Sequence, residues 1–363
     1  MALPVIKSIV DCSSLEKTVY PYIPQLYDLP QQILQSYNNP TGLKNLYLAT
    51  NPLISGFAFS LFLAPLFLIV SEINKNYSQV DRLWSILPTL YNAHYTIYAH
   101  MSGLDTKRLD NMIAFSVVWS LRLTFNYWRK GGYNIGSEDY RWEILRAKIH
   151  PGLFFVLNVL YISLAQSVLL FIITTPTYVI LLTGRLGDEL TTADMAFARL
   201  LMALVLVEFF ADQQQWNYQH AKKEYLQTAK VPRSVHQEDL DRGFVVTGLW
   251  SWSRHPNFAA EQAIWVFLYQ WGCYTSNVLY NWTFIGAMSY LILFQASTWL
   301  TELITAGKYP EYKEYQRRVS MFLPRLYTDA PGDFSDQRKT VDEKAEEKVP
   351  EKQASKKNAA VRK

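Results

Sequence analysis

The stretch Thr247-Gly-Leu-Trp-Ser-Trp-Ser-Arg-His-Pro-Asn-Phe-Ala-Ala-Glu261 places a polar, cationic cluster directly before an apolar run. Its proline suits the first turn of a helix, where free N–H groups and Arg254 would form an anion site facing water. The pair Arg254 and His255 is costly beside a membrane unless it binds something, although such pairs also serve as interfacial anchors. Asn257 and Glu261 enter the membrane on the same helix face, and this favours a binding site.

The fold class follows from apolar runs that recur along the 363 residues and are long enough to cross a bilayer. Half of the residues are hydrophobic, and a soluble protein would rarely accommodate so many such runs. We therefore predict an all-α, polytopic membrane helix bundle. The seven predicted spans are 53–72, 83–100, 111–128, 153–173, 196–216, 259–274 and 283–304.

Three regions are distinguished by composition. The first fifty residues contain five prolines and no apolar core long enough for a signal peptide, so we predict that residues 1–52 form an irregular or interfacial segment. Residues 53–326 form the seven-span membrane domain. Residues 327–363 alternate Lys and Glu with little apolar content, which predicts a disordered cytosolic tail.

Several classes of function are excluded or disfavoured by the sequence. Cys12 and Cys273 lie far apart and have neither metal-site nor disulfide spacing. The net charge of +4 is modest, and no basic stripe interleaved with aromatics suggests a nucleic-acid partner. Gly-rich dinucleotide, phosphate-loop and Gly-x-Ser-x-Gly motifs are absent. A nucleotide would therefore bind without a Rossmann domain.

Orientation follows from the distribution of lysine and arginine. Basic residues are concentrated after the third and fifth spans, which indicates that these loops face the cytosol. They are Arg129, Lys130, Arg141, Arg146, Lys148, Lys222, Lys223, Lys230 and Arg233. The segments 174–195 and 275–282 are poor in positive charge, and we read both as loops on the opposite side. The C-terminus is then cytosolic.

Charged residues at membrane depth need partners. Arg122 falls inside the third span, too deep to reach the headgroups easily, so we expect a buried anionic partner. Glu208, Asp212 and Gln215 recur at helical spacing on one face of the fifth span. Their oxygens suit ribose hydroxyls or amide donors, but they would equally suit pairing with Arg122 or Arg254.

Two further polar groups lie at the predicted cytosolic ends of spans. Asp81 and Arg82 open the second span, either as a self-neutralising interfacial pair or as part of a functional site. Tyr312 and Tyr315 are three residues apart and flanked by bases, which favours a surface helix lying on the headgroups.

The order of these motifs resembles the DUF1295 membrane proteins of the steroid 5-alpha-reductase-like superfamily, which also contains sterol reductases and isoprenylcysteine methyltransferases. The resemblance spans about 78–326. The motifs that carry it are Asp81-x-x-Trp84, Trp119-x-x-Arg122, Glu138-Asp-x-Arg141, Asp212-x-Gln, the stretch from Thr247 to Glu261, and Tyr312-x-x-Tyr315-x-x-Arg318.

In the reductase branch, the C-terminal spans hold NADPH at the cytosolic face, and hydride addition reduces a conjugated enone. The resemblance implies that Asn257 and Glu261 lie at the nicotinamide end, Asp212 at the adenosine ribose and Arg254 at phosphate. Tyr309 or Tyr312 would line the same pocket, and Gln215 and His255 are further cofactor-binding candidates. The family's Tyr-Phe-Gly-Glu ending is replaced here by Phe258-Ala-Ala-Glu261, so its Tyr and Gly are missing.

We therefore expect an endoplasmic reticulum reductase of a sterol-like or other lipid enone. Tyr91, His94 and Tyr95 are candidate catalytic residues by their position in the second span. We expect Glu261 to bond to a cofactor amide rather than to a neighbouring helix. Two alternatives stay open: an S-adenosylmethionine-dependent methyltransferase, which shares the Arg-His-Pro motif, and a non-catalytic sterol-binding relative.

Overall fold

The computed structural model describes residues 2–186, 189–233 and 235–323, and these residues contain helices and no β-strand. The all-α prediction is confirmed. The helices belong to two compact units. The first unit comprises Met1–Asp212 and Asn257–Glu302, and the second comprises Gln213–Pro256 and Leu303–Lys363. The predicted disordered tail, 327–363, lies outside the described residues.

The N-terminal segment contains helices rather than irregular structure, and the interfacial alternative stays a prediction. Helices α1 (Leu15–Thr18), α2 (Ile23–Ser36) and α3 (Pro40–Ala49) follow one another, with short 3-10 turns at Ile9–Ser13 and Tyr20–Tyr22. The prolines suggested broken structure, but several occupy first turns, where a missing N–H group leaves no hydrogen bond unmade.

Each of the seven predicted spans overlaps a helix. These helices are α4 (Pro52–Asn74), α5 (Gln79–Trp84), α6 (Leu87–Met101), α7 (Lys107–Arg129), α8 (Tyr140–Lys148), α9 (Pro151–Leu157), a π-helix (Asn158–Ala165), α10 (Gln166–Ile172), α11 (Thr175–Thr183), α12 (Thr192–Thr228), α13 (Gln237–Arg242), α14 (Pro256–Thr275), α15 (Phe284–Lys308) and α16 (Tyr312–Arg318). Helix α14 begins at the proline predicted to start it.

Three helical stretches within the described residues are long and apolar enough to cross a membrane: Pro52–Asn74, Pro151–Leu186 and Phe284–Lys308. This is what we expect of an integral membrane protein. The other predicted spans carry more polar or charged side chains, as Glu208 and Asp212 do in α12. The number seven therefore stays a prediction.

The segment 174–195 is not simply a loop. Its first part forms α11, all nine residues of which are buried. Thr174 and Thr175, at the start of this segment, satisfy their hydroxyl groups on the last turn of α10. Thr174 donates to the Phe171 carbonyl at 2.7 Å, and Thr175 donates to the Ile172 carbonyl at 2.7 Å. A hydroxyl bonded to a carbonyl three residues earlier can be buried without a partner elsewhere.

Helix α15 approaches the junction between α10 and α11 closely at Gly286. A Cβ atom added there would lie 2.3 Å from the Ile172 carbonyl oxygen. Small residues permit such backbone proximity between membrane helices, so glycine is required at this contact.

The second unit has a small aromatic core. Phe244, Tyr312, Tyr315 and Val319 are buried together, and Tyr312 retains 5% of its surface exposed. Both tyrosines of α16 therefore face protein rather than headgroups, contrary to the surface-helix interpretation. Gly243, at a φ of +87°, lies beside this core and against the ring of Tyr309.

Candidate functional site

Arg122 lies among three carboxyl groups in the first unit. Its guanidinium is 2.7 Å from Glu208, 2.9 Å from Asp212 and 3.3 Å from Glu261, and its side chain is only 7% exposed. Glu208 and Asp212 are four residues apart on α12, so they present their carboxyls on the same face of that helix. The prediction of a buried anionic partner for Arg122 is confirmed.

Glu261 is the most highly bonded member of this cluster. One carboxylate oxygen accepts hydrogen bonds from Trp265 Nε1 at 2.9 Å and from the Tyr290 hydroxyl at 2.7 Å. The other accepts from Trp119 Nε1 at 2.9 Å and from Arg122 at 3.3 Å. A carboxylate has about four lone-pair sites, and four protein donors occupy them.

The expectation that Glu261 bonds to a cofactor rather than to a neighbouring helix is therefore corrected. Its partners include side chains of α7 and α15, and Arg122 supplies the base that the sequence left as the alternative. A buried carboxylate requires this kind of pairing to persist at membrane depth.

Tyr290 extends the cluster to another motif. Trp84 Nε1 donates to the Tyr290 hydroxyl at 3.2 Å, and that hydroxyl donates in turn to Glu261. One hydrogen-bonded network thus joins motifs that are widely separated in sequence. We call it the Arg122 network, and its members are Trp84, Trp119, Arg122, Glu208, Asp212, Glu261 and Tyr290.

Asp81 does not neutralise Arg82. Its carboxylate accepts a hydrogen bond from Trp142 Nε1 at 3.0 Å, whereas Arg82 donates to the Ser137 carbonyl at 2.8 Å. Burial raises the pKa of Asp81 above its usual value, despite the hydrogen bond from Trp142. The self-neutralising interpretation was wrong.

Glu208 completes the set of acids around Arg122. It meets Arg122 as an ion pair at 2.7 Å rather than through an aligned hydrogen bond. The network therefore contains three carboxyl groups and one guanidinium, so its acidic groups outnumber its base.

Asn257 adds a partly exposed side chain beside buried Asp212. Asn257 Nδ2 donates to one oxygen of Asp212 at 3.1 Å, and Arg122 donates to the other at 2.9 Å. Asn257 is half-buried, in contrast to Glu261. Each oxygen of Asp212 receives one of these two side-chain bonds, so the pair retains capacity for a further donor.

The Arg254 and His255 pair belongs to the second unit and holds the chain after α16. Arg254 Nη1 donates to the carbonyls of Gln316 and Val319, and the backbone N–H of His255 donates to the Met321 carbonyl at 3.1 Å. This pair is therefore an anchor for residues 316–321. A phosphate contact by Arg254 stays a prediction.

The remaining cofactor candidates of the second unit have different environments. The side-chain oxygen of Gln215 is buried and has no hydrogen-bond partner within the described part of the chain. Tyr309 accepts a 2.8 Å hydrogen bond from Lys222. Tyr312 packs in the aromatic core described above.

The candidate catalytic residues lie together on α6, and two of them keep unused hydroxyl groups. Tyr91 and Tyr95 are buried, and neither hydroxyl has a partner in the described residues. His94 is engaged on both sides: Nε2 lies 2.8 Å from the Pro52 carbonyl and Nδ1 lies 2.9 Å from the Tyr47 hydroxyl. Because a carbonyl only accepts, we assign the proton to Nε2.

Sequence reasoning missed Trp265, Tyr290 and Trp142. Trp265 lies four residues after Glu261 on one helix, so helical spacing could have identified it. Tyr290 lies in an apolar run with no charged neighbour, and no local signal connects it to α14.

Comparisons with known proteins identify relatives of the chain. A family model described as "Protein of unknown function (DUF1295)" matches residues 67–319. A protein of Schizosaccharomyces pombe, described as "Uncharacterized protein C594.04c", is 39% identical over 326 residues, which cover 89% of this chain and 93% of that protein. No solved structure matches the chain.

Proposed function

This chain belongs to the DUF1295 family, and we propose that it is an NADPH-dependent reductase of a lipid-soluble, conjugated enone in the endoplasmic reticulum membrane. The resemblance to steroid 5-alpha-reductase-like proteins supports this reaction, and the three apolar helical stretches support a membrane setting. The cofactor would supply the hydride, and the protein would supply binding, orientation and a proton.

The pair formed by Asp212 and Asn257 carries the proposal. Both residues match cofactor positions of the resemblance, and they are hydrogen-bonded to each other beside Arg122. Asp212 keeps acceptor capacity for a hydroxyl or amide donor, and half-buried Asn257 retains exposed surface. These two residues fit the group that the resemblance implies.

Glu261 does not fit the role of a direct ligand, because four protein donors occupy its oxygens. We assign it a positioning role instead. It fixes Arg122 and the Trp119 indole, and Arg122 in turn orients Asp212. A charged group held this way on packed helices keeps the neighbouring acceptors in one geometry.

The charge of the Arg122 network favours a reductase over the methyltransferase alternative. Its three carboxyl groups outnumber its single guanidinium, and this surplus would stabilise a neighbouring group that becomes more positive as the reaction proceeds, as a hydride donor does. A methyl donor starts as a cation and loses that charge, so the same surplus would stabilise its ground state and oppose transfer.

Tyr91 and Tyr95 are the stronger candidates for contact with the substrate. Their hydroxyl groups are buried without partners, and leaving a buried donor unpaired is unfavourable by about 1 to 3 kcal/mol each. A substrate oxygen would satisfy such a donor. His94 is a weaker candidate because both of its ring nitrogens are already bonded within the protein.

Equilibrium binding of NADPH and of S-adenosylmethionine to the purified chain in detergent tests this function. We expect NADPH to bind and Asn257→Ala to weaken its binding about tenfold, which corresponds to one hydrogen bond. Asn45→Ala, at an exposed position of α3, is the matched control. Binding of the methyl donor alone would contradict the proposal.

A comparison of lipid extracts from cells with and without the protein tests the reaction itself. We expect an unsaturated precursor to accumulate when the protein is absent. Accumulation of an unmethylated lipid instead would favour the methyltransferase, and no change in either would favour the non-catalytic relative.

A further inference from the structure

Two lysines converge on Tyr309 in the second unit. Lys222 Nζ donates to the Tyr309 hydroxyl at 2.8 Å and to the Gly243 carbonyl at 2.7 Å. Lys308 Nζ lies 5.3 Å from the centre of the same tyrosine ring. Residues from α12, from the end of α15 and from the loop after α13 thus meet at one point.

Within the described residues, neither ammonium group has a carboxylate counter-ion. Across residues 2–186, 189–233 and 235–323, no carboxylate lies within ion-pair distance of Lys222 or Lys308. The acids Asp239 and Glu311 instead lie 2.7 Å and 3.7 Å from Arg242. Two like charges held close together without a counter-ion favour binding of an anion.

The chemistry of Tyr309 agrees with a positive local field. Partial burial would raise the pKa of its hydroxyl, but hydrogen bonds from Lys222 and Lys308 outweigh this and lower the pKa below its usual value. An anion bound beside the Tyr309 hydroxyl would be attracted by the same two ammonium groups, those of Lys222 and Lys308.

The backbone fixes this arrangement in place. Gly243 has a φ of +87°, and a Cβ atom there would lie 2.4 Å from the Tyr309 ring. The ring therefore packs directly on the glycine backbone, and the Gly243 carbonyl holds the Lys222 ammonium. A site held this way before its ligand arrives loses little side-chain freedom on binding.

We propose that Lys222, Lys308 and Tyr309 bind a phosphate group. The ammonium groups supply charge and hydrogen-bond donors, and the tyrosine hydroxyl supplies a further polar contact. The group would come either from the ribose 2′-phosphate of NADPH, in which case the inference rests on the proposed function, or from a phospholipid headgroup, in which case it does not.

Binding measurements on the full chain in detergent test whether this site binds a phosphate group and whether that group belongs to a nucleotide or to a lipid. The probes are 2′,5′-ADP for the nucleotide and dihexanoyl phosphatidic acid for the lipid. The variants are Lys222→Ala, Lys308→Ala and Tyr309→Phe, with Lys223→Ala as control, because Lys223 is exposed on the same helix. Lys308→Ala should leave the fold intact, since Lys308 is exposed at the end of α15 and its ammonium donates to no backbone carbonyl of the described residues.

We expect the lysine variants to weaken binding of one probe about tenfold each, and the control to leave it unchanged. Loss confined to 2′,5′-ADP, with a reduced preference for NADPH over NADH, identifies the nucleotide. Loss confined to phosphatidic acid identifies the lipid and would stand even if NADPH did not bind. If Lys222→Ala and Lys308→Ala bind both probes as tightly as the control Lys223→Ala does, the proposed site is wrong.

Discussion

Tyr290 donates a 2.7 Å hydrogen bond to Glu261 from a helix that contributes no motif residue to the cluster. The same hydroxyl accepts from Trp84, so a single side chain connects two motifs. The Arg122 network thus depends on a residue that resemblance alone would not select.

Tyr290→Phe should destabilise the protein, although it removes only one oxygen atom. The change leaves Trp84 Nε1 without its acceptor and removes one donor from Glu261, and such a loss typically costs about 1 to 3 kcal/mol. Thermal unfolding in detergent measures the effect. Tyr280→Phe, at a largely exposed position, is the control. An unchanged midpoint for Tyr290→Phe would show that the bond contributes nothing to stability.

Glu261→Gln and Glu208→Gln should differ in their effect on stability. The first leaves Arg122 with less counter-charge and directs amide hydrogens at donors, and breaking a buried ion pair costs about 3 to 5 kcal/mol. The second also removes a counter-charge from Arg122, but the Glu208 oxygen that meets Arg122 accepts no aligned hydrogen bond within the described residues, so we expect a smaller loss. Unfolding midpoints of the two variants provide the comparison, and equal losses would show that the four hydrogen bonds to Glu261 add nothing to the ion pair.

Gly286→Ala should weaken packing, because its Cβ would overlap the Ile172 carbonyl. Overpacking of this kind costs about 1 to 3 kcal/mol. Gly307→Ala on the same helix has open space around it and should be neutral or slightly stabilising, since alanine favours helix by up to about 1 kcal/mol. The difference between the two midpoints is the measurement, and a Gly286→Ala variant as stable as Gly307→Ala would contradict the close approach.

Cysteine labelling in sealed microsomes tests the orientation. Both native cysteines, Cys12 and Cys273, are buried and should contribute little background. Lys148→Cys and Lys223→Cys should react from the cytosolic side, whereas Leu279→Cys, at an exposed position, should react only after permeabilisation. The reverse pattern would place the proposed cofactor site away from the cytosolic NADPH pool.

The features that could be predicted from the sequence are those in which one residue, at its position in the chain, has a large free-energy cost or preference. A guanidinium at the depth of Arg122 must have an anionic partner, and a proline followed by an apolar run starts a helix, as Pro256 does. Both expectations needed only the residue and its position in the chain.

The remaining features depend on contacts between distant segments. Nothing near Tyr290 indicates that it meets Glu261, and a tyrosine in an apolar run is compatible with lipid or with protein. The scarcity of basic residues in 174–195 suggested a loop, but it does not reveal that the first part of this segment forms the buried helix α11. Periodicity specifies a helix and one of its faces, but not the helix against which that face packs.

The anchoring of residues 316–321 by Arg254 and His255 has a genetic consequence. A stop codon just before Val319 would remove the carbonyls of Val319 and Met321, to which this pair donates. A stop codon after Leu323 would leave both carbonyls in place. The boundary between harmful and tolerated nonsense alleles should therefore fall between Val319 and Leu323, ahead of the whole charged C-terminal extension.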